Sequence, residues 1–149
     1  MVQIKSGSME ETIRLGERLA VLLKPGDVIT LEGELGAGKT TFTKGIANGL
    51  GIKDTLSSPT FTIIKEYKGD LPLYHMDAYR LEHSEEDLGF EEYFNGDGIS
   101  VVEWAQFIDE FLPNDRLDVK IEYLNKHNRI FTFSPSGLHF EAVAAELKL

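Results

Sequence analysis

Apolar and polar positions change period several times along the chain, and each change marks an expected element. Val2–Lys5 reads as a short strand. From Ser8 the period lengthens: Met9, Ile13, Leu19 and Leu23 recur near helical spacing. Ser8 stands three positions before Glu11, the spacing of a capping box, and Pro25-Gly26 stops the helix. Val28–Leu31 is an unbroken apolar run of the kind found in buried strands, and Thr40–Leu50 returns to a helical pattern closed by Gly49 and Gly51. Thr62–Tyr67 and Leu73–Ala78 read as strands joined by the Gly69-Asp70 turn, a hairpin. Ser84–Phe94 reads as a helix with Glu85, Glu86 and Asp87 placed favourably near its N-terminus. Ile99–Glu103 is a short apolar strand, and Ala105–Leu112 a short helix ended by Pro113. Leu117–Leu124 and Arg129–Ser134 form a second strand pair, and His139–Leu147 a closing helix. Strands alternating with helices predict a three-layer α/β domain, and the hairpins make its central sheet mixed, though mostly parallel.

The chain has 149 residues, which predicts a single domain over 1–149. It contains no Cys, excluding disulfides, thiolate metal sites and a Cys nucleophile. The longest apolar run, Leu19–Leu23, is far short of the roughly twenty residues of a membrane span. Residues 1–20 carry Glu10, Glu11 and Glu17 where a signal peptide would be apolar. A cytoplasmic protein with no membrane partner is therefore expected. The formal charge is −10, and Lys and Arg occur without clustering, which argues against autonomous binding of DNA or RNA.

Residues 33–40 read GELGAGKT, so Gly33, Gly38, Lys39 and Thr40 fit G-x-x-x-x-G-K-[ST] position by position. A predicted strand precedes this segment and a predicted helix follows it, as a phosphate-binding loop requires. Its glycines let successive N–H groups turn inward around a phosphate, and the helix N-terminus adds partial positive charge. Lys39 then reaches the β- and γ-phosphates, and the Thr40 hydroxyl ligates Mg²⁺. Hydrolysis also needs carboxylates at the ends of neighbouring strands, and Asp77 and Glu103 stand at such ends. Glu103 is assigned to magnesium and Asp77 to the attacking water or the second metal shell, with the reverse assignment open. Thr60, in the Ser57-Ser58-Pro59-Thr60-Phe61 segment, is the candidate switch-loop hydroxyl at the γ-phosphate.

Other residues carry weaker signals. His75 sits between apolar neighbours and reads as a packing histidine. Trp104 reads as core, with shielding of the magnesium site as the other reading. Arg80 reads as a surface-pairing residue before it reads as a cis arginine finger. Residues 125–128, NKHN, superficially match a guanine-reading motif, but Asn128 supplies no carboxylate, and the segment reads as an Asn-containing turn. Arg129 beside it is a candidate contact to base or ribose, and Ser8 caps a helix whose start borders the base.

The phosphate loop, the Ser58-Pro59-Thr60 segment, His75-x-Asp77-x-Tyr79-Arg80 and Glu103-Trp104, in this order, together resemble the TsaE family, also called YjeE or YdiB. The resemblance covers essentially the whole chain. It implies a P-loop NTPase-like fold and slow hydrolysis of ATP to ADP and phosphate with Mg²⁺. The ATP-binding set is then Ser8, Gly36, Ala37, Gly38, Lys39, Thr40, Thr41 and Arg129. Thr40 and Glu103 take the metal roles, and Asp77 and Thr60 the catalytic roles at the γ-phosphate. The implied partners are TsaD and TsaB, which act on adenosine 37 of tRNAs reading codons that begin with A, so this chain meets tRNA only through the complex. Two rivals stay open: a small-molecule kinase and a nucleotide-sensing binding module.

Overall fold

The computed structural model describes residues 1–34, 37–57, 59, 63–82 and 88–149. Among the described residues, seven strands form one sheet in the order β1-β7-β6-β2-β5-β4-β3. They are β1 (Val2–Ser6), β2 (Val28–Gly33), β3 (Ile64–Tyr67), β4 (Leu73–Asp77), β5 (Ile99–Glu103), β6 (Arg116–Tyr123) and β7 (Arg129–Ser136). The pairings β6–β2, β2–β5 and β5–β4 are parallel, whereas β1–β7, β7–β6 and β3–β4 are antiparallel. Strands β1, β2, β4, β5 and β6 thus run one way, and β3 and β7 the other.

The α-helices are α1 (Met9–Ala20), α2 (Lys39–Gly49), α3 (Phe90–Phe94) and α4 (Leu138–Lys148). Side chains of α1, α2 and α4 share a core with one face of the sheet, where Leu19, Phe42 and Ile46 meet Ile29, Val101, Phe131 and Phe133. On the other face α3 and the 3₁₀ segment Ala105–Phe111 bury Phe90, Phe94 and Ile108 against Val28, Met76 and Val102. Central strand β2 therefore buries Ile29 and Leu31 on one side and Val28 on the other, which explains its continuous apolar sequence. The architecture is the three-layer α/β arrangement expected from the strand–helix alternation.

Several expected elements shift. Helix α1 ends at Ala20, well before Pro25, and its buried stripe is Thr12, Leu15, Gly16, Leu19 and Ala20. Met9, expected on the core face, is exposed. The expected helix over 84–94 is realised as Phe90–Phe94, because Gly89 adopts a left-handed φ of 84° that no helix continues through. Residues 84–87 lie outside the described residues. The closest helix contact joins α1 and α2: a Cβ on Gly45 would lie 2.2 Å from the Ile13 carbonyl oxygen. The two backbones touch there, so the start of α1 is held in fixed relation to the start of α2.

Candidate phosphate-loop site

The parallel strands β4, β5 and β2 lie side by side, and their carboxyl ends gather at one edge of the sheet, where ligands bind in open α/β folds. Beyond β2 the chain turns into α2 at Gly38, whose φ of 113° requires glycine although a Cβ there would meet nothing within 4 Å. Gly38 caps α2 without a side chain, which leaves the first N–H groups of the helix available to an anion. Lys39 begins the helix, and Thr40, next to it, is exposed. Ala37 is buried and donates its N–H to the Glu34 carbonyl at 2.9 Å. Gly36 and Thr60 lie outside the described residues.

Glu103 closes β5 and Asp77 closes β4, and the two are direct partners in the parallel register. Both are buried, at 9% and 6% exposure. One Glu103 oxygen, Oε1, lies 3.5 Å from the Lys39 ammonium. The other, Oε2, lies 2.8 Å from Nε2 of His75. Burial alone would raise the Glu103 pKa, but the hydrogen bond and charge of His75, with Lys39 beside it, hold this carboxyl below the ordinary carboxylate value. Asp77 accepts a hydrogen bond from the Tyr79 N–H at 3.0 Å, which fixes the turn leaving β4. Sequence reasoning made His75 a packing residue. It is buried as expected, but one ring nitrogen serves Glu103.

Trp104 is not core: it is 37% exposed and adopts a left-handed φ of 59°. A positive φ is uncommon for a bulky residue and is tolerated where the surroundings over-determine it. Here the indole stacks on Phe107 at 5.8 Å and packs against Tyr79 at 4.9 Å. The Lys39 ammonium lies 5.7 Å from the indole centroid, within reach of a cation–π contact. A cleft of about 500 Å³ opens beside Lys39, walled by Gly33, Glu34, Trp104 and, from β6, Lys120 and Glu122.

A second cavity, about 280 Å³, brings together Ser8, Thr12, Gly38, Thr41, His127 and Arg129. Four residues expected to hold nucleotide, Ser8, Gly38, Thr41 and Arg129, thus line one space. Met9 also lines it, which accounts for its place off the core face. Ser8 caps α1 as its spacing predicts, accepting the Glu11 N–H at 3.1 Å, while the Glu11 carboxylate accepts the Gly7 N–H. Arg129 Nε donates to the Ala37 carbonyl at 3.1 Å, and its guanidinium lies over the Tyr123 ring at 4.0 Å. Arg129 is therefore a brace for the phosphate loop as well as a wall of the cavity. The 125–128 segment is the turn expected from sequence: Asn125 Oδ1 accepts from the N–H groups of His127 and Asn128 and from the Asn128 amide.

Comparison with known proteins fits this geometry. Residues 6–131 match the family model described as threonylcarbamoyl adenosine biosynthesis protein TsaE. The chain belongs to the TsaE family. A TsaE protein from Bacillus subtilis, described as a tRNA threonylcarbamoyladenosine biosynthesis protein, is 55% identical over 93% of this chain and 88% of that relative. A Treponema pallidum TsaE protein is 43% identical over 85% of this chain and 96% of its own length. The crystal structure of Bacillus subtilis YdiB superposes with a TM-score of 0.86 at 48% identity, covering 98% of this chain and 93% of that one. The mixed sheet and its flanking helices are therefore those of a TsaE-family P-loop fold.

The donor set suits a hard cation. Glu103 could offer a carboxylate oxygen and Thr40 a hydroxyl, whereas among the described residues no group of three or more His, Cys, Asp or Glu could enclose a metal. Magnesium is commonly held in this way, through one or two protein oxygens with substrate phosphates completing the shell.

Proposed function

We propose that this chain binds ATP and slowly hydrolyses it to ADP and phosphate, with magnesium, within a single domain, as a cytoplasmic subunit of tRNA threonylcarbamoyladenosine biosynthesis. The observation that carries the reading is the approach of Glu103 Oε1 to Lys39 Nζ at 3.5 Å. It sets a strand-end carboxylate against the phosphate-loop cation, with Asp77 in register beside it.

The roles follow from position. The N–H groups at the start of α2, including those of Gly38, Lys39 and Thr40, receive the phosphates. Lys39 leaves Glu103 to neutralise the β- and γ-phosphates. Thr40 and Glu103 hold magnesium, which supplies charge neutralisation at the transferring phosphoryl group. Asp77 orients or deprotonates the attacking water, and Thr60 contacts the γ-phosphate. Gly36 and Ala37 complete the loop, and Ser8, Thr41 and Arg129 border the rest of the nucleotide.

Partners complete the picture. The relatives' names place them in tRNA threonylcarbamoyladenosine biosynthesis. With a net charge of −10, this chain meets tRNA through the TsaB–TsaD complex, which modifies adenosine 37 of tRNAs reading codons that begin with A. Turnover of ATP here resets that complex between cycles. The test is a split between binding and turnover. Glu103→Ala and Asp77→Ala should still bind ATP while releasing no phosphate, and a variant that hydrolyses ATP at the wild-type rate contradicts the assignment.

A further inference from the structure

His75 occupies the middle of β4, opposite Val101, on the face that carries Leu73 and Asp77. At 2% exposure it fills a place in the core that an apolar side chain would fill at lower cost. Its Nδ1 is buried and, among the described residues, has no hydrogen-bond partner. An unsatisfied buried polar atom is destabilising, so packing alone is a poor reason for this residue. Its polar side-chain contact among the described residues is with Glu103: Nε2 holds Oε2 at 2.8 Å. That contact divides the work of the carboxylate, because Oε1 is left to face Lys39.

We propose that His75 is a positioning residue, which grips Oε2 of Glu103 so that Oε1 stays aimed at the phosphate-loop lysine and at the divalent cation that accompanies a bound nucleotide. The proposal rests on the ATP reading given above. Without nucleotide, Glu103 has partners on both oxygens. When Lys39 turns to the phosphates, His75 is the partner that remains, and it stops the carboxylate from rotating away from the cation. Partners behind a metal-binding carboxylate or histidine typically govern metal affinity 10–100-fold. The loss of His75 should therefore appear in the coupling between magnesium and nucleotide rather than in nucleotide binding itself.

His75→Gln and His75→Asn separate this role from packing. Both keep a polar amide in the core. Gln carries its N–H to about the place of Nε2, whereas Asn is too short to reach Glu103. ATP affinity is measured in magnesium and in EDTA for the wild type and both variants, with thermal melting alongside. The expected result is that magnesium tightens ATP binding to the wild type, and that this enhancement falls about tenfold or more in His75→Asn and stays within about threefold of wild type in His75→Gln. Affinity in EDTA should change little in either. An enhancement kept by His75→Asn, or lost equally by both variants, overturns the assignment whatever the melting temperatures show. A wild type that binds ATP in neither condition defeats the ATP reading, and this proposal with it. A wild type that binds with the enhancement, beside a His75→Asn variant that does too, defeats the role of His75 alone.

Discussion

The Lys39 ammonium lies 3.5 Å from Glu103 Oε1 and 5.7 Å from the centre of the Trp104 ring, so the phosphate-loop cation rests between an acid and an aromatic face. In this arrangement Lys39 must leave Glu103 when it engages phosphate. Replacing Glu103 by Gln removes the ion pair and frees the lysine. Glu103→Gln should therefore bind ATP in EDTA at least as tightly as the wild type, yet gain little from magnesium. Titration calorimetry with and without magnesium checks both halves. Weaker binding in EDTA would mean that Glu103 positions Lys39 rather than competing for it.

Asp77 has a structural duty, accepting the Tyr79 N–H, in addition to its proposed duty toward water. Asp77→Asn keeps an acceptor oxygen for that N–H and removes the charge. General acid–base groups contribute roughly 10²–10⁴ in rate, so kcat should fall by about that factor while KM changes little. Steady-state phosphate release measures it. An unchanged kcat in Asp77→Asn would reduce Asp77 to a cap of the turn.

The depressed Glu103 pKa makes a prediction about acid stability. The ordinary value is 4.5, and that of the folded protein is lower, so near this range the unfolded chain binds more protons than the native one. Glu103 therefore contributes stability that is complete above about pH 4.5 and is lost as the pH falls through the folded value. Without nucleotide, the melting temperature of the wild type should exceed that of Glu103→Gln at neutral pH. The gap should narrow below pH 4.5. A gap that is constant or widens with acid would mean that the carboxylate is not held in its charged form.

The backbone contact between α1 and α2 admits no side chain. A Cβ at Gly45 would sit 2.2 Å from the Ile13 carbonyl oxygen, and backbone yields less readily than a flexible side chain. Gly45→Ala should cost about 1–3 kcal/mol, despite the better helix propensity of Ala. Because the same contact fixes Ser8 relative to Thr41, ATP binding should weaken as well. Denaturant unfolding and ATP titration of the one variant test both effects.

The parts of this site written in consecutive residues were legible in the sequence. The glycine turn into α2 at Gly38, the strand Ile99–Glu103 and the Ser8 cap all appear where their local chemistry places them. The contacts made across strands were not. His75 and Glu103 are 28 positions apart and meet because β4 and β5 are parallel neighbours, a fact of topology that neither segment encodes alone. His75 therefore read as packing. Trp104 was misjudged for a related reason: its exposure follows from a left-handed backbone at the end of β5, which a bulky apolar residue does not advertise. Helix α1 ends at Ala20, before Pro25, although Leu23 beyond it is still buried in the core, so the apolar pattern alone does not mark its end. Arg129 lines the cavity that also holds Ser8 and Thr41, but its hydrogen bond to Ala37 joins residues 92 positions apart and cannot be read from sequence.

Phosphate release from ATP by the purified chain, measured with and without the TsaB–TsaD pair, tests the central claim most directly. A group supplied in trans to complete a phosphoryl-transfer site is worth roughly 10³–10⁵ in rate. Slow release by the chain alone and strong stimulation by the pair are expected. A rate indifferent to the pair, or phosphate passed to a small acceptor instead of to water, would contradict it.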